Sequence, residues 1–88
     1  MKFVSDKNKA AANVRKHGVS FKDAEGVFDD SYALESYQRR RGEDRWKRVG
    51  HSGSKLLTVA YTETMDGAIR IISAREATND EKKHYRNR

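Results

Sequence analysis

The chain contains neither cysteine nor proline among its 88 residues. Without cysteine it can form neither disulfides nor thiolate metal sites, which suits a reducing compartment such as the cytoplasm. Without proline, its turns must be made by glycine, asparagine, aspartate and serine. No apolar run is long enough to cross a membrane, and the first residues lack the apolar core of a secretion signal. These absences predict a cytoplasmic protein, and the length of 88 residues predicts a single domain, residues 1–88.

Positive charge is the dominant feature of the composition. Lys and Arg number 19 against 13 Asp and Glu, which gives a formal net charge of +6. A basic surface attracts polyanions through counterion release. Charge alone does not distinguish RNA from DNA, an acidic lipid surface or an acidic protein. A dense basic segment is the predicted RNA-binding set: Arg39, Arg40, Arg41, Arg45, Lys47 and Arg48.

Two short helices are predicted at the start of the chain. Ala10, Ala11 and Val14 recur at helical spacing, and Gly18 is suited to end the helix in a left-handed conformation. The predicted bounds are about Asp6 to Lys16 for the first helix, capped by Ser5 or Asp6, and Ser20 to Ser31 for the second.

Alternating polar and apolar residues after Tyr32 predict strands joined by short loops. Thr78 followed by Glu81 is typical of a capping box and predicts a last helix to about Arg86. The predicted strands are 32–37, Trp46–His51, Leu56–Glu63 and Ala68–Arg75, with a polar loop at Gln38–Glu43 and turns at Ser52–Ser54 and Met65–Gly67. The expected fold class is α+β: two N-terminal helices packed on a four-stranded antiparallel sheet, with a C-terminal helix.

The segment Ile69–Arg75 reads IRIISAR and carries two arginines through the most apolar part of the chain. Strict alternation places Arg70 and Arg75 on opposite faces of the strand, so only a β-bulge or a strand end would bring them together. Two interpretations stay open. The arginines are either edge or ion-paired surface residues, or a clamp whose planar forks match phosphate oxygens.

Other side chains near these arginines have two interpretations each. Glu63 is either a general base or the carboxylate that orients an arginine, and its alternative is a weak surface ion pair. Trp46 is either a core residue or a platform on which an RNA base stacks. The three histidines are too scattered for a zinc site, and we expect neither metal nor cofactor.

RNA cleavage fits the residues that remain. The 2′-hydroxyl of RNA attacks its own adjacent phosphate if a base, cations and an acid are positioned around it. DNA lacks this hydroxyl and is not cleaved in this way. The alternative function, from a different class, is a basic nucleic-acid-binding module without catalysis.

Several stretches resemble the BrnT toxin family over nearly the whole chain. They are Lys9–Phe21 (KAAANVRKHGVSF), Ala24, Val27–Asp30, Glu43–Ser52 with its final Gly-x-Ser, Tyr61–Glu63, and IRIISAR followed by Ala77 and Thr78, with Glu81 and Tyr85. The resemblance implies a RelE-like, metal-independent ribonuclease toxin of a type II toxin–antitoxin system, which arrests growth by cutting RNA. A toxin of this fold that acts on a gyrase-like target is a further reading.

The resemblance also implies partners and site residues. The partner is a cognate BrnA-like antitoxin, with two toxins and two antitoxins in the complex, and promoter DNA is bound only through the antitoxin. By position, the implied catalytic residues are Lys9 as an electrostatic helper, Trp46 as a stacker, Glu63 as base or orienter, and Arg70 and Arg75 as phosphate clamps.

Overall fold

The computed structural model describes residues 1–88 and has a five-stranded sheet with helices on both faces. In chain order the elements are β1 (Phe3–Val4), α1 (Lys7–His17), α2 (Phe21–Glu25), a 3₁₀ helix (Gly26–Asp29), β2 (Leu34–Arg40), β3 (Glu43–Ser52), β4 (Lys55–Glu63), β5 (Ile69–Glu76) and α3 (Asn79–Arg86). The strand order is β1-β5-β4-β3-β2. None of the helices is long and apolar enough to span a membrane.

The expected four-stranded antiparallel sheet is wrong in one respect. Strands β2 to β5 do form an antiparallel meander, but β1 adds a fifth strand that pairs in parallel with β5, with Phe3 opposite Ile69 and Val4 opposite Arg70. A strand of two residues cannot display alternation, so the sequence carries no periodic signal for it. The α+β class itself is confirmed, with a mixed sheet.

Local capping signals position the helices as predicted. Asp6 accepts hydrogen bonds from the amides of Asn8 (2.7 Å) and Lys9 (3.3 Å) at the start of α1. Gly18 ends that helix with φ at 71°. Thr78 and Glu81 form the expected capping box of α3. The second helix is shorter than predicted, because its last turn tightens into the 3₁₀ helix after α2.

A polar side chain, Asn13, occupies the buried face of α1. The predicted apolar stripe is wrong at Val14, which is 47% exposed, whereas Asn13 is buried. Its carboxamide donates to the carbonyls of Val19 and Ala74 (2.8 Å each) and accepts from the Ala74 amide (3.1 Å). Strand β1 covers only the start of β5, and Asn13 pairs with the backbone beyond that point.

The hairpin between β2 and β3 is tighter than the predicted loop. Only Arg41 and Gly42 lie outside the strands, with φ at 51° and 75°. Two successive positive φ values are typical of a type I′ turn, which matches the twist of the flanking strands. The prediction of a loop over Gln38–Glu43 is therefore wrong at its ends, and the arginines flanking the turn lie on a projecting ribbon.

The core lies between the sheet and the layer formed by α1, α2 and the 3₁₀ helix, and we call this side of the sheet the helical face. Its largest fully buried side chains are Leu57, Val27 and Val59. Gly50 makes close approach possible here, since a Cβ at this position would lie 3.0 Å from the Ala33 Cβ and 3.2 Å from an Asp30 carboxylate oxygen. Gly50, the glycine of the Gly-x-Ser sequence that ends β3, therefore allows this layer to pack closely on the sheet.

Candidate functional site

A β-bulge in β5 brings the two arginines of IRIISAR to one face of the sheet. Ala60 of β4 pairs with Ser73, and the next residue, Tyr61, pairs with Ile71, so Ile72 has no partner in the ladder. The extra residue inverts the alternation beyond it. Arg70 and Arg75 therefore share the face opposite the core, where strict alternation would separate them.

We call this second side the open face, because only α3 covers part of it. Side chains of paired residues in neighbouring strands point to the same side, so the registers define its members. Small residues from the central strands form its floor: Ala60, Thr62 and Ser73. Cations surround this floor: Arg45 and Lys47 from β3, and Arg70 and Arg75 from β5. The open face is thus a shallow basic surface.

Glu81 of α3 binds two of these cations at once. The Arg75 guanidinium donates from Nη1 and Nη2 to its two carboxylate oxygens (2.8 and 3.0 Å), and Lys47 Nζ lies 3.3 Å from Oε2. Thr58 Oγ1 donates to the same carboxylate at 2.8 Å. The hydrogen bonds from Arg75 outweigh partial burial and hold the pKa of the Glu81 carboxyl well below its usual range. Two cations share one anion here, so a positive charge remains.

Arg70 and Lys9 are cations without a salt bridge, and they line one cavity. The cavity has a volume of about 350 Å³ and lies where the chain leaves β1 and enters α1. Asp6 also lines it, but its carboxylate accepts hydrogen bonds from the first α1 amides. The structure therefore brings together two of the predicted catalytic residues next to the open face.

The structure does not bring Trp46 and Glu63 close to Arg70 and Arg75. Trp46 points to the helical face, where its ring stacks on Tyr61 with centroids 6.0 Å apart and meets Tyr37 edge-on at 5.5 Å. Glu63 follows Tyr61 on the same face at the end of β4. Burial, a hydrogen bond to Glu35 and nearby carboxylates including Glu63 raise the pKa of the Tyr61 hydroxyl. Trp46 packs against the core, which matches the structural interpretation of this residue.

The predicted RNA-binding set divides between the two faces. Arg48 lies on the helical face, where it donates to the carbonyls of Val27 (2.9 Å) and Asp30 (3.0 Å) and pairs with Glu35 (3.1 Å). Its side chain fastens the 3₁₀ helix to the sheet. Arg39 pairs with Asp44 at 2.8 Å. The remaining members, Arg40, Arg41, Arg45 and Lys47, lie at the hairpin tip or on the open face.

Sequence reasoning missed the role of Glu81 beyond its capping box. Its spacing from Thr78 was visible, but the pairing with Lys47 depends on the packing of α3 against β3. No cluster of three or more His, Cys, Asp or Glu side chains is arranged to hold a metal ion.

Comparison with known proteins decides the family. The chain matches, over residues 6–81, the family described as ribonuclease toxin, BrnT, of a type II toxin–antitoxin system. This protein belongs to the BrnT toxin family. Among solved structures it is similar to the 1.1 Å crystal structure of the Brucella abortus ribonuclease toxin BrnT, with 26% identity and a TM-score of 0.68. That match covers 90% of this chain and 99% of the Brucella chain. No curated protein matches the sequence. Type II membership implies an antitoxin partner for this BrnT chain.

Proposed function

We propose that this BrnT protein is an endoribonuclease that cleaves RNA without a metal ion. The observation that carries the proposal is the β5 bulge, which gathers Arg70 and Arg75 on the open face with Arg45 and Lys47. Guanidinium and ammonium groups stabilise the charge that develops on phosphate oxygens when the 2′-hydroxyl attacks. The small floor residues leave room for an RNA strand to lie against the sheet.

The cations have different roles in this proposal. Arg70 has no salt bridge and contacts the scissile phosphate directly, with Lys9 adding positive charge from the shared cavity. Arg75 is oriented by Glu81 and, with Lys47, holds an adjacent phosphate. Arg40, Arg41 and Arg45 extend the basic path toward the hairpin tip. Trp46 acts indirectly, by packing against the core, and Glu63 has no contact with the cations of the open face.

The cellular role follows from the family. We propose that cleavage arrests growth in the cytoplasm until a cognate BrnA-like antitoxin binds, in a complex of two toxins with two antitoxins. An antitoxin that covers the open face would neutralise its charge and exclude RNA at the same time. Promoter DNA is contacted through the antitoxin alone.

The test is cleavage of a single-stranded RNA oligonucleotide by the purified protein in excess EDTA. We expect products ending in a 2′,3′-cyclic phosphate and a 5′-hydroxyl, because the 2′-hydroxyl is the nucleophile. The matched control substrate carries 2′-deoxyribose at each position and should bind without being cut. RNA that is bound but stays intact would overturn the enzyme assignment in favour of the binding module. Cleavage abolished by EDTA and restored by Mg²⁺ would overturn metal independence.

A further inference from the structure

The carboxylates on the open face, Glu43 and Glu81, each lie beside a cation, and Glu43 at the hairpin is 3.9 Å from Arg45 Nη2. Glu63 lies on the other side of the sheet, and the Glu81 carboxylate is already bonded to Arg75, Lys47 and Thr58. Its low pKa makes it a weak base. Attack by a 2′-hydroxyl nevertheless requires a group that accepts the hydroxyl proton.

His84 lies at the edge of this surface with one ring nitrogen free. It follows Glu81 by three positions on α3, so the two side chains are neighbours on one helix face, and Glu81 faces the sheet. His84 Nδ1 is 3.0 Å from the Asp80 carbonyl oxygen. A carbonyl only accepts, so Nδ1 carries the hydrogen and, in the neutral ring, Nε2 presents a lone pair.

The surroundings of His84 suit a nucleotide. It lines a cavity of about 390 Å³ between α3 and the β2–β3 pair, together with Lys47 and Ser36. Leu34 and Val49 supply apolar surface in the same cavity. Its other lining residues are polar, so the cavity offers a nucleotide several converging hydrogen-bonding groups beside this apolar surface. The cavity joins the open face at Lys47, which belongs to both.

We propose that His84 is a catalytic residue, the general base of the cleavage reaction. This inference rests on the proposed function. Neutral Nε2 accepts the proton of the 2′-hydroxyl as O2′ bonds to phosphorus and the bond from phosphorus to the 5′-oxygen breaks. Water protonates the departing 5′-oxygen, and the resulting hydroxide takes the proton from His84. As proposed above, Arg70 stabilises the negative charge on the oxygens of the scissile phosphate during this step, while Lys47, beside the same cavity, holds the adjacent phosphate.

Charged groups of both signs surround the imidazole. From β2 and β3 they are Glu35 and Lys47, and from α3 itself they are Asp80, Glu81, Lys83 and Arg88. Histidine ordinarily exchanges its proton between pH 5 and 8. A base must be neutral to act, so the cleavage rate should fall as pH drops through that range.

The experiment compares wild-type protein with His84→Gln on the RNA oligonucleotide in EDTA. We expect kcat to fall by about a hundred- to ten-thousand-fold with KM little changed, as for loss of a general base. The acid limb of the pH profile should disappear, and added imidazole should partly restore cleavage by His84→Ala. The control is His17→Gln, which removes a histidine from the far end of α1 and should leave both rate and profile unchanged.

Three outcomes would overturn the inference. If His84→Gln retains the wild-type rate and pH profile, another group accepts the proton and only this inference fails. A folded His84→Ala variant that loses cleavage without any imidazole rescue has lost a structural or binding contact. If wild-type protein leaves the RNA intact, the proposed function fails together with the role of His84. Circular dichroism and thermal unfolding establish that each variant is folded.

Discussion

At the residue scale, the decisive side chains are distinguished by whether they have partners. The guanidinium groups of Arg48, Arg39 and Arg75 form hydrogen bonds or ion pairs with carbonyls or carboxylates within the chain. Arg70 has no salt bridge and is exposed. An uncommitted arginine contributes little to folding and is free to bind phosphate.

Replacing Arg70 should therefore separate activity from stability. We expect Arg70→Ala to reduce RNA cleavage by about a hundred- to a thousand-fold, the usual cost of removing a transition-state donor. The free energy of unfolding should change by less than about 0.5 kcal/mol, as for other surface substitutions. Single-turnover cleavage and urea unfolding measure the two quantities. The control, Arg15→Ala on α1, removes the same charge elsewhere; equal losses in both variants would make Arg70 a general attractor of RNA only.

Asn13 is the opposite case, a buried side chain with a purely structural role. We expect Asn13→Ala to lower the free energy of unfolding by about 1–3 kcal/mol, because it leaves buried carbonyl and amide groups of β5 and the Val19 carbonyl without partners. Chemical denaturation tests this against Asn8→Ala, an exposed asparagine of the same helix. Equal stability of the two variants would mean that water replaces the lost bonds.

At the scale of elements, the sequence predicts features that depend on neighbouring residues, but it does not predict features that depend on residues far apart in the chain. Both Asp6 and Gly18 bound α1 as their chemistry predicts, since each acts within one turn of the helix. The short β1 has no such signal, because its partner is a strand 66 residues away in the register Phe3 to Ile69. The Ile72 bulge is likewise set by tertiary packing, so the sequence could only present it as one of two possibilities.

The attachment of α3 to the sheet should depend on pH through Glu81. Its pKa is lowered in the folded protein, so its contribution is complete above the unfolded value of about 4.3 and is lost as pH falls below it. We expect Glu81→Gln to cost about 1–3 kcal/mol at neutral pH, with the difference from wild type shrinking on acidification. Unfolding free energies measured from pH 7 to 3 test this.

The matched control for that series is Glu76→Gln, an exposed carboxylate at the end of β5. It should leave the stability nearly unchanged at every pH. A gap between wild type and Glu81→Gln that stays constant down to pH 3 would contradict the assigned role of the carboxylate.

At the scale of the whole molecule, the cations behind the net charge of +6 include a group that is concentrated on the open face. We expect affinity for the uncleavable 2′-deoxy oligonucleotide to fall with salt, with a log–log slope of about −2 to −3 if three or four phosphates are contacted. Arg70→Ala should reduce that slope by about 0.7, while Arg15→Ala should not. Fluorescence anisotropy at several salt concentrations measures it, and a salt-independent affinity would contradict an electrostatic interface.

Resemblance and residue chemistry together identified the family and the α+β class, and they named Arg70 and Lys9 as site residues, but the cavity that the two share is visible only in the structure. They did not reveal which face each predicted catalytic side chain occupies. Trp46 and Glu63 satisfy the sequence pattern equally well on either side of a sheet, and only the register assigns them to the helical face. In the sequence, His84 is one of three scattered histidines, and its proximity to Lys47 exists only because α3 packs against the sheet.

The parallel pairing of β1 with β5 determines when, during synthesis, the sheet can be completed. The ribosome synthesises Phe3 and Val4 well before their partners Ile69 and Arg70, which follow 66 residues later in the chain. A prematurely terminated polypeptide lacks the strand that carries both arginines and cannot build the cavity shared with Lys9. We therefore expect nascent and truncated copies that stop before β5 to leave RNA uncut, so that any activity in the producing cell begins only after β5 has been synthesised.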